Sequence, residues 1–313
     1  MRPTPSDSWV ANVVASDALW ITGVGGFTGR HLVDYLRAEH PELALVGLDI
    51  RRPEWAEELD AFSAQPLDQF DSLAAMANEH SPRWVIHLAG VIPPAEPDLM
   101  QAVNVDLAAA FLEHVATLAP ALSGFVAIGS AAEYGPQDSA TPMPESKPGA
   151  PQDPYGRSKL AATEVLLRRG EELGVPVTIA RPFNLVGPGC PTSLVLARVC
   201  DQIRQANGDI ETGPLDSMRD FIDVRDAVSA YAALALEHAP AGIYNVCSGV
   251  GVVIRDAVEL ARRVAGSSQS VDEFRPEGYQ PDYSVGSNAK LTDAVGWRCR
   301  FDLSASIADM LKS

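Results

Sequence analysis

The chain has 313 residues, of which 46% are hydrophobic, and it carries a formal net charge of −17 at pH 7. This length and apolar content suit one large domain, or two closely joined domains, with a sizeable core. The strong negative charge argues against a nucleic-acid partner, because binding to a polyphosphate track relies on a basic surface.

The first seventeen residues are predicted to form a flexible tail, because they lack the cationic start and apolar stretch of a secretory signal. No apolar run approaches the length needed to span a bilayer, so no membrane partner is predicted. The six histidines show no ligand spacing, and no metal site is predicted. Four scattered cysteines without a CxxC pair are typical of a reducing compartment and favour the cytoplasm. They are Cys190, Cys200, Cys247 and Cys299.

Short β-branched runs alternate with amphipathic helical patterns through most of the chain. Continuous apolar strands separated by helices indicate a parallel sheet that is covered on both faces. The prediction is an α/β fold with a doubly wound parallel sheet of the Rossmann type and a smaller C-terminal substrate-binding lobe. The predicted strands are 18–22, 43–49, 84–89, 124–130, 176–182 and 242–248, and the clearest helical patterns are 101–118 and 157–173.

The regular alternation fails twice, where the sequence becomes rich in Gly, Pro and Ser. These stretches, near 186–215 and after about 250, are predicted to build the smaller lobe. The predicted domain bounds are 18–185 for the dinucleotide-binding domain, with 220–248 returning to it, and 186–219 with 249–313 for the substrate-binding lobe.

The fragment "ITGVGGFTGRHL" places Gly23, Gly26 and Gly29 directly after the first strand and at the start of a helix. A tight glycine turn lets backbone N–H groups approach a pyrophosphate, and the helix N-terminus faces its negative charge. Asp49 ends the second strand twenty residues after Gly29, where a carboxylate can accept hydrogen bonds from ribose hydroxyls. The motif therefore predicts a site for NAD or NADP.

The choice between the two cofactors depends on side chains after the second strand. Asp49 favours NAD(H), because its carboxylate would repel the 2′-phosphate of NADP(H). Arg51 and Arg52 favour NADP(H), because a guanidinium at this place could hold that phosphate. Both cofactors stay open at this point.

Two further fragments carry the parts of a proton-transfer site. "IGSAAEYG" contains Ser130, and "PYGRSK" contains Tyr155 and Lys159 at the spacing YxxxK. With the glycine motif, the acidic strand end and "HLAG" in this order, the chain resembles the extended short-chain dehydrogenase/reductase family, the NAD-dependent epimerase/dehydratase group. The resemblance extends over about residues 18–313.

Four fragments, "RPFNLVGPG", "RDFIDVRDAVSAY", "IYNVCSG" and "VGSNAKL", are most similar to nucleotide-sugar enzymes, particularly the GDP-6-deoxy-4-keto-mannose reductases. The resemblance implies an NAD(P)-dependent oxidoreductase that reduces a 4-keto-6-deoxy nucleotide-diphosphate sugar, and a homodimer. The alternatives are a nucleotide-sugar 4-epimerase with tightly bound NAD and a ketone reductase of secondary metabolism. A cofactor-binding sensor without turnover is the alternative outside the enzymes.

The resemblance also implies roles for single residues. Tyr155 would be the proton donor at the substrate oxygen, and Lys159 would hold the nicotinamide ribose and lower the pKa of the tyrosine. Ser130 would orient the reacting oxygen, and Asn104 would support the backbone of the active site. Further cofactor contacts implied by the matching motifs are Phe27, Thr28, Leu88, Ala89 and Gly90.

On the substrate side, the resemblance implies that Asn184 contacts the diphosphate or the sugar, and that Arg219 and Arg275 pair with the diphosphate. The planar fork of arginine suits this role, because it donates two parallel hydrogen bonds to phosphate oxygens. The chain departs from the family pattern at Gln65, where relatives carry an aspartate that touches adenine. It departs again at Leu185, where the reductases commonly carry a histidine.

A third departure bears on the reaction itself. The 4,6-dehydratases of this family place carboxylates in the two positions after the active-site serine or threonine, and these groups expel water from the sugar. Here the two positions are Ala131 and Ala132, and Glu133 follows one residue too late. The sequence therefore predicts hydride exchange without elimination of water.

Overall fold

The computed structural model describes residues 17–312 of the chain. Of the predicted tail at residues 1–17, all but Asp17 lies outside the described residues. The strands are β1 Ala18–Thr22, β2 Ala44–Leu48, β3 Ala61–Ser63, β4 Pro82–His87, β5 Gly124–Ile128, β6 Val177–Pro182, β7 Asn184–Val186, β8 Ile210–Thr212, β9 Met218–Asp223, β10 Gly242–Val246, β11 Gly251–Val253, β12 Val271–Glu273 and β13 Tyr283–Ser284. The α-helices are α1 Phe27–Glu39, α2 Phe70–Glu79, α3 Pro97–Gln101, α4 Ala108–Leu118, α5 Pro154–Leu173, α6 Val195–Gln205, α7 Val224–Leu236, α8 Ile254–Ala265, α9 Ala289–Val295 and α10 Leu303–Met310.

Across residues 17–312, the main sheet has seven strands in the order β10-β6-β5-β4-β1-β2-β3, and all neighbouring strands are parallel. The chain order reverses between β1 and β4, which is the topological switch of a doubly wound sheet. In such sheets, ligands bind outside the carboxyl ends of the strands at this point. The predicted α/β fold with a Rossmann sheet and a smaller C-terminal lobe is confirmed.

The strands at the centre of the sheet are apolar because both of their faces are covered. In β1, Leu19 and Ile21 belong to a core cluster with α1 and α7, whereas Trp20 points to the opposite cluster with α2, α4 and α5. All three side chains are fully buried. Successive side chains of a strand alternate between faces, so a strand with helices on both sides has no polar face.

The smaller lobe has a sheet and a core of its own. Within the described residues, β11, β9 and β13 form a second sheet in this order, and β7 pairs with the other half of β9. Helices α6, α8 and α10 pack around a separate apolar cluster that includes Val199, Ile203, Val258 and Ile307. A short parallel pair, β8 and β12, closes this part.

Over the part of the chain that the structure describes, the main sheet contains one strand more than the six that the sequence predicts. Strand β3 was not predicted, because it has only three residues and all of them are half-buried, so it lacks the long apolar run of the central strands. Residues 220–223 form the end of β9 in the second sheet, and α7, which packs on the main sheet, begins at Val224. The predicted domain bounds stay a prediction.

Between residues 17 and 312, no helix is both long enough and apolar enough to cross a membrane.

Candidate active site

A cavity of about 720 Å³ lies at the carboxyl ends of the central strands, at the switch between β1 and β4. Residues that directly follow β1, β4, β5 and β6 line it, and the smaller lobe closes the other side. Twelve of the predicted site residues line this cavity, and they come from distant parts of the sequence. They are Gly23, Gly26, Phe27, Thr28, Gly29, Leu88, Gly90, Ser130, Tyr155, Lys159, Asn184 and Arg219.

The glycine loop fits the pyrophosphate of a dinucleotide. Gly23 has a positive φ of 64°, and a Cβ there would lie 2.7 Å from the backbone nitrogen of Ala89, so a side chain does not fit. Helix α1 begins at Phe27 without a side-chain cap, and Phe27 and Thr28 line the cavity. The N–H groups of a first helical turn lack partners within the helix, and they favour an anion.

The acidic strand end contacts the glycine loop. The backbone N–H of Gly25 donates to Asp49 Oδ2 at 2.9 Å, and that of Arg51 donates to Asp49 Oδ1 at 3.3 Å. Arg52 pairs with Glu57 on the surface at 2.9 Å. Asp49 and Arg51 therefore lie beside the glycine loop, and neither they nor Arg52 line the cavity.

The segment after β4 is held by two buried polar side chains. Thr22 Oγ1 lies 2.8 Å from His87 Nδ1 and accepts a hydrogen bond of 3.2 Å from the backbone N–H of Ala89. Burial lowers the pKa of His87 to about 3, and the charge of Lys159 acts in the same direction, so the imidazole is neutral. This arrangement fixes the backbone beside the predicted contacts Leu88, Ala89 and Gly90.

Asn104 supports the same segment from the opposite side. It lies in a π-helical turn, Ala102–Leu107, between α3 and α4. The backbone N–H of Val91 donates to Asn104 Oδ1 at 2.8 Å. Asn104 Nδ2 donates to the carbonyl oxygen of Val91 at 3.0 Å and to Ser158 Oγ at 3.1 Å. π-helical turns occur often at functional sites. The supporting role of Asn104 in the active site stays a prediction.

The first turn of α5 brings Tyr155 beside Ser130. Asp153 caps the helix by accepting from the N–H of Gly156 at 2.9 Å. A Cβ on Gly156 would lie 2.6 Å from the carbonyl oxygen of Ala132, so only glycine lets this turn pack so closely on the residues after Ser130. The close approach allows a hydrogen bond between the Ser130 hydroxyl and Tyr155.

Lys159 lies one helical turn after Tyr155 and on the same face of α5. Its Nζ donates to the carbonyl oxygen of Ile128 at 2.8 Å, at the end of β5. Burial lowers the pKa of Lys159 to about 8, and the carboxylate of Glu133 opposes this effect. Burial also raises the pKa of Tyr155, against the hydrogen bond with Ser130. The expected lowering of the tyrosine pKa by Lys159 is not among the effects that act on Tyr155, and the raised pKa keeps the phenol neutral.

Glu133 is fully buried directly behind Ser130. Its carboxylate accepts from the backbone N–H of Ser130 at 2.8 Å and from Thr163 Oγ1 at 2.8 Å. Arg181 reaches the same carboxylate with Nε at 2.8 Å and Nη2 at 2.6 Å. Because this carboxylate is paired with Arg181 and has no exposed surface, Glu133 holds the backbone of Ser130 and is not available as a base.

On the substrate side, Asn184 and Arg219 line the cavity from the second sheet. Asn184 Nδ2 donates to the carbonyl oxygen of Asp220 at 3.0 Å. Arg219 pairs with Asp282 at 2.8 Å and also donates to the main-chain oxygens of Asp282 and Met218. Asp282 was not identified from the sequence, because it is distant in the chain and lies in no motif.

Arg275 lies apart from these residues. It is half exposed, pairs with Glu273 at 2.9 Å and with Asp216, and is not among the residues that line the cavity. Its contact with a diphosphate stays a prediction. No group of three or more His, Cys, Asp or Glu side chains within residues 17–312 is arranged to hold a metal ion.

Comparisons with known proteins agree with this geometry. The family described as "NAD dependent epimerase/dehydratase family" matches residues 19–247. The chain is 36% identical to the GDP-6-deoxy-D-mannose reductase of Pseudomonas aeruginosa, covering 94% of this chain and 95% of the relative. It is 29% identical to the dTDP-6-deoxy-L-talose 4-dehydrogenase (NAD(P)(+)) of Kitasatospora kifunensis, covering 93% of each.

A solved structure, RMD from Pseudomonas aeruginosa complexed with NADPH, superposes with a TM-score of 0.82 at 33% identity. The alignment covers 95% of this chain and 98% of that one. Family match, relatives and fold agree with the cavity built from the glycine loop, Ser130, Tyr155 and Lys159. The chain belongs to the NAD dependent epimerase/dehydratase family.

Proposed function

We propose that this protein reduces the 4-keto group of a 4-keto-6-deoxy nucleotide sugar, with NADPH or NADH as the reductant. The observation that carries the proposal is the meeting of Ser130, Tyr155 and Lys159 in one cavity with the glycine loop. A GDP-linked substrate is proposed because the relative at 36% identity is named for such a sugar.

Tyr155, Ser130 and Lys159 have different roles in the proposed reaction. Tyr155 donates its phenolic proton to the carbonyl oxygen while that oxygen gains negative charge, and Ser130 holds the same oxygen by a hydrogen bond. The charge of Lys159 stabilises the phenolate that remains. A bound nicotinamide dinucleotide would supply the hydride that reduces the carbonyl carbon.

The protonation state of Tyr155 supports the direction of reduction. A reduction consumes a proton at the substrate oxygen, and burial keeps the phenol neutral and ready to donate. The surroundings of Ser130 argue against loss of water from the sugar, because Ala131 and Ala132 line the cavity without acid or base groups. Glu133 is held by Arg181 and is fully buried.

The proposed cofactor is NADP(H) or NAD(H). NADP(H) is supported by the NADPH complex of a 33% identical structure and by Arg51, whose backbone lies beside Gly25 of the glycine loop. NAD(H) is supported by Asp49. Titration of the protein with each reduced cofactor, followed by fluorescence, separates the two by their dissociation constants.

The reaction is tested by mixing the protein with GDP-4-keto-6-deoxy-mannose and NADPH or NADH and following absorbance at the nicotinamide band. Oxidation of one cofactor molecule per substrate molecule supports the reductase. Product formation without net cofactor consumption, together with NAD that copurifies with the protein, would instead establish a 4-epimerase. A calorimetric screen with GDP, UDP, CDP and dTDP tests the proposed base.

We also propose a cytoplasmic homodimer. The free thiol state of all four cysteines fits a reducing compartment. The homodimer follows from the resemblance to the family, and light scattering on the purified chain measures its mass in solution.

A further inference from the structure

Asp220 is a fully buried carboxylate that takes no part in the proposed proton transfer. It lies in β9, and each of its two carboxylate oxygens accepts two hydrogen bonds. Oδ1 accepts from the N–H of Ser248 at 2.8 Å and from its hydroxyl at 2.6 Å. Oδ2 accepts from the N–H of Gly249 at 2.9 Å and from that of Gly286 at 3.3 Å. One side chain thus joins β9 to two other segments of the chain.

The same residue is connected to three groups that line the substrate side of the cavity. Its carbonyl oxygen accepts from Asn184 Nδ2 at 3.0 Å. Arg219 precedes it in β9, and the strand Tyr283–Ser284 lies two residues before Gly286. Asn184, Arg219, Tyr283 and Ser284 all line the cavity.

Two glycines supply the backbone N–H groups that reach Asp220 Oδ2. A Cβ on Gly286 would lie 2.6 Å from Cys247 Sγ and from the ring of Phe183. Gly249 has a positive φ of 81°. Both backbone N–H groups donate to one carboxylate oxygen, and a side chain at Gly286 would not fit beside Cys247 and Phe183.

The cofactor side of the cavity is held by other contacts. Thr22, His87 and Asn104 fix the segment after β4, and Glu133 fixes Ser130. The recorded hydrogen bonds of Asp220 reach Asn184, Ser248, Gly249 and Gly286, none of which belongs to that side. A change at Asp220 should therefore act on one half of the cavity.

We propose that Asp220 is a positioning residue for substrate. Its buried carboxylate fixes β9, which carries Arg219 and the carbonyl oxygen that holds Asn184, relative to the segment of Tyr283–Ser284, and so sets the affinity for the nucleotide sugar. This inference rests on the proposed function. It assigns Asp220 no contact with the substrate and no role in the transfer of the proton.

The substitution Asp220→Asn tests the inference, because four donors need two acceptor oxygens and an amide offers one. The NH2 group of the asparagine would face two N–H or O–H donors. We expect KM for the nucleotide sugar to rise by about tenfold or more, the scale of a buried donor left without a partner. The kcat at saturation should stay within about threefold of the parent, and the dissociation constant of the cofactor should not change.

Asp226→Asn is the matched control. Asp226 is also a buried carboxylate and accepts from the N–H groups of Arg300 and Phe301, but it does not line the cavity. The variant Asp226→Asn should leave KM for the nucleotide sugar unchanged. If Asp220→Asn does not fold, Ser248→Ala removes a single donor hydroxyl from Asp220 and should raise KM by about threefold.

The result that overturns the inference is an unchanged KM in Asp220→Asn, or in Ser248→Ala where that variant is needed. Equal losses of cofactor affinity and kcat would overturn it as well, because they would indicate a general structural role. Arg219→Ala, measured in parallel, separates the two proposals. If Arg219→Ala and Asp220→Asn both leave substrate affinity unchanged, the proposed substrate site is wrong. If Arg219→Ala weakens substrate binding and Asp220→Asn does not, only the role proposed for Asp220 is wrong.

Discussion

At the scale of single residues, Tyr155 carries the proposed chemistry. Tyr155→Phe removes only the hydroxyl and should lower kcat by roughly two to four orders of magnitude, the usual scale for losing a positioned acid. Cofactor affinity should barely change. Tyr244→Phe is the control, because its hydroxyl donates to the carbonyl of Pro240 and does not line the cavity. Near-normal turnover of Tyr155→Phe by stopped-flow assay would reject the assignment.

The lowered pKa of Lys159 leads us to expect that the activity depends on pH. Since burial lowers its pKa to about 8, the ammonium is present below pH 8 and is lost as the pH rises through this value. The kcat/KM for reduction should therefore fall on the alkaline side with an apparent pKa of about 8.

Lys159→Arg provides the check on this pH profile, because arginine keeps its charge throughout the accessible range. Its activity should be lower, but the alkaline fall near pH 8 should be absent. An unchanged alkaline limb in Lys159→Arg would assign the titration to another group.

Arg219 tests the substrate side. Arg219→Ala should weaken binding of the nucleotide sugar by about 2 kcal/mol or more, the order of a charge-assisted pair, and should leave dinucleotide binding intact. Arg83→Ala is a suitable control, because Arg83 pairs with Asp17 on the surface, away from the residues that line the cavity. Equal affinities of parent and Arg219→Ala by calorimetry would mean that the arginine does not hold the diphosphate.

At the scale of elements, the packing of α5 on the turn after Ser130 decides whether Tyr155 reaches its partner. Gly156→Ala gains helix propensity of up to about 1 kcal/mol, but its Cβ would lie 2.6 Å from the carbonyl oxygen of Ala132. Overpacking typically costs about 1–3 kcal/mol, so the clash should win. We expect lower thermal stability and a kcat reduced by about tenfold or more.

Gly213→Ala is the control for Gly156→Ala. An added Cβ at Gly213 meets no atom within 4 Å, and the residue has no positive φ. Stability and kcat of Gly213→Ala should match the parent. A Gly156→Ala variant with the turnover of the parent would show that the first turn of α5 need not pack so closely.

Elements also differ in how far the sequence predicts them. The central strands were predicted because burial on both faces leaves a continuous apolar run, as in "ALWIT". The predicted strand 18–22 matches β1, the other five differ from the structure by one or two residues at one or both ends, and β3 was missed because it is short and half-buried. Local patterns predict elements with a strong periodicity, whereas a short edge strand forms only because its neighbour is present.

The residues of the candidate site also differ in how far the sequence predicts them. The glycine loop and YxxxK lie within single short segments, so their residues could be named from the sequence. Asp282 and Asp220 act through partners more than twenty residues away in the chain, and no spacing in the sequence connects them. Their roles depend on the pairing of β9 with β13 and on the fold of the loop after β10.

At the scale of the whole molecule, the cavity lies between two parts with different tasks. The Rossmann part supplies the glycine loop and Ser130 at the ends of its strands and Tyr155 and Lys159 from α5, and the second sheet supplies Arg219. Tyr155 can donate the proton that a reduction needs. The two positions after Ser130 carry only the methyl groups of Ala131 and Ala132, which cannot act as the acid and base that loss of water needs. The central claim is therefore that the protein reduces a carbonyl and does not expel water.

One measurement tests this claim most directly. The protein is incubated with GDP-4-keto-6-deoxy-mannose plus NADPH or NADH, and separately with GDP-mannose plus NAD, and the products are weighed by mass spectrometry. We predict a product about two mass units heavier in the first reaction, with oxidation of an equal amount of cofactor, and no loss of water in the second. A product about eighteen mass units lighter in the second reaction, or an unchanged substrate mass in the first, would contradict the account.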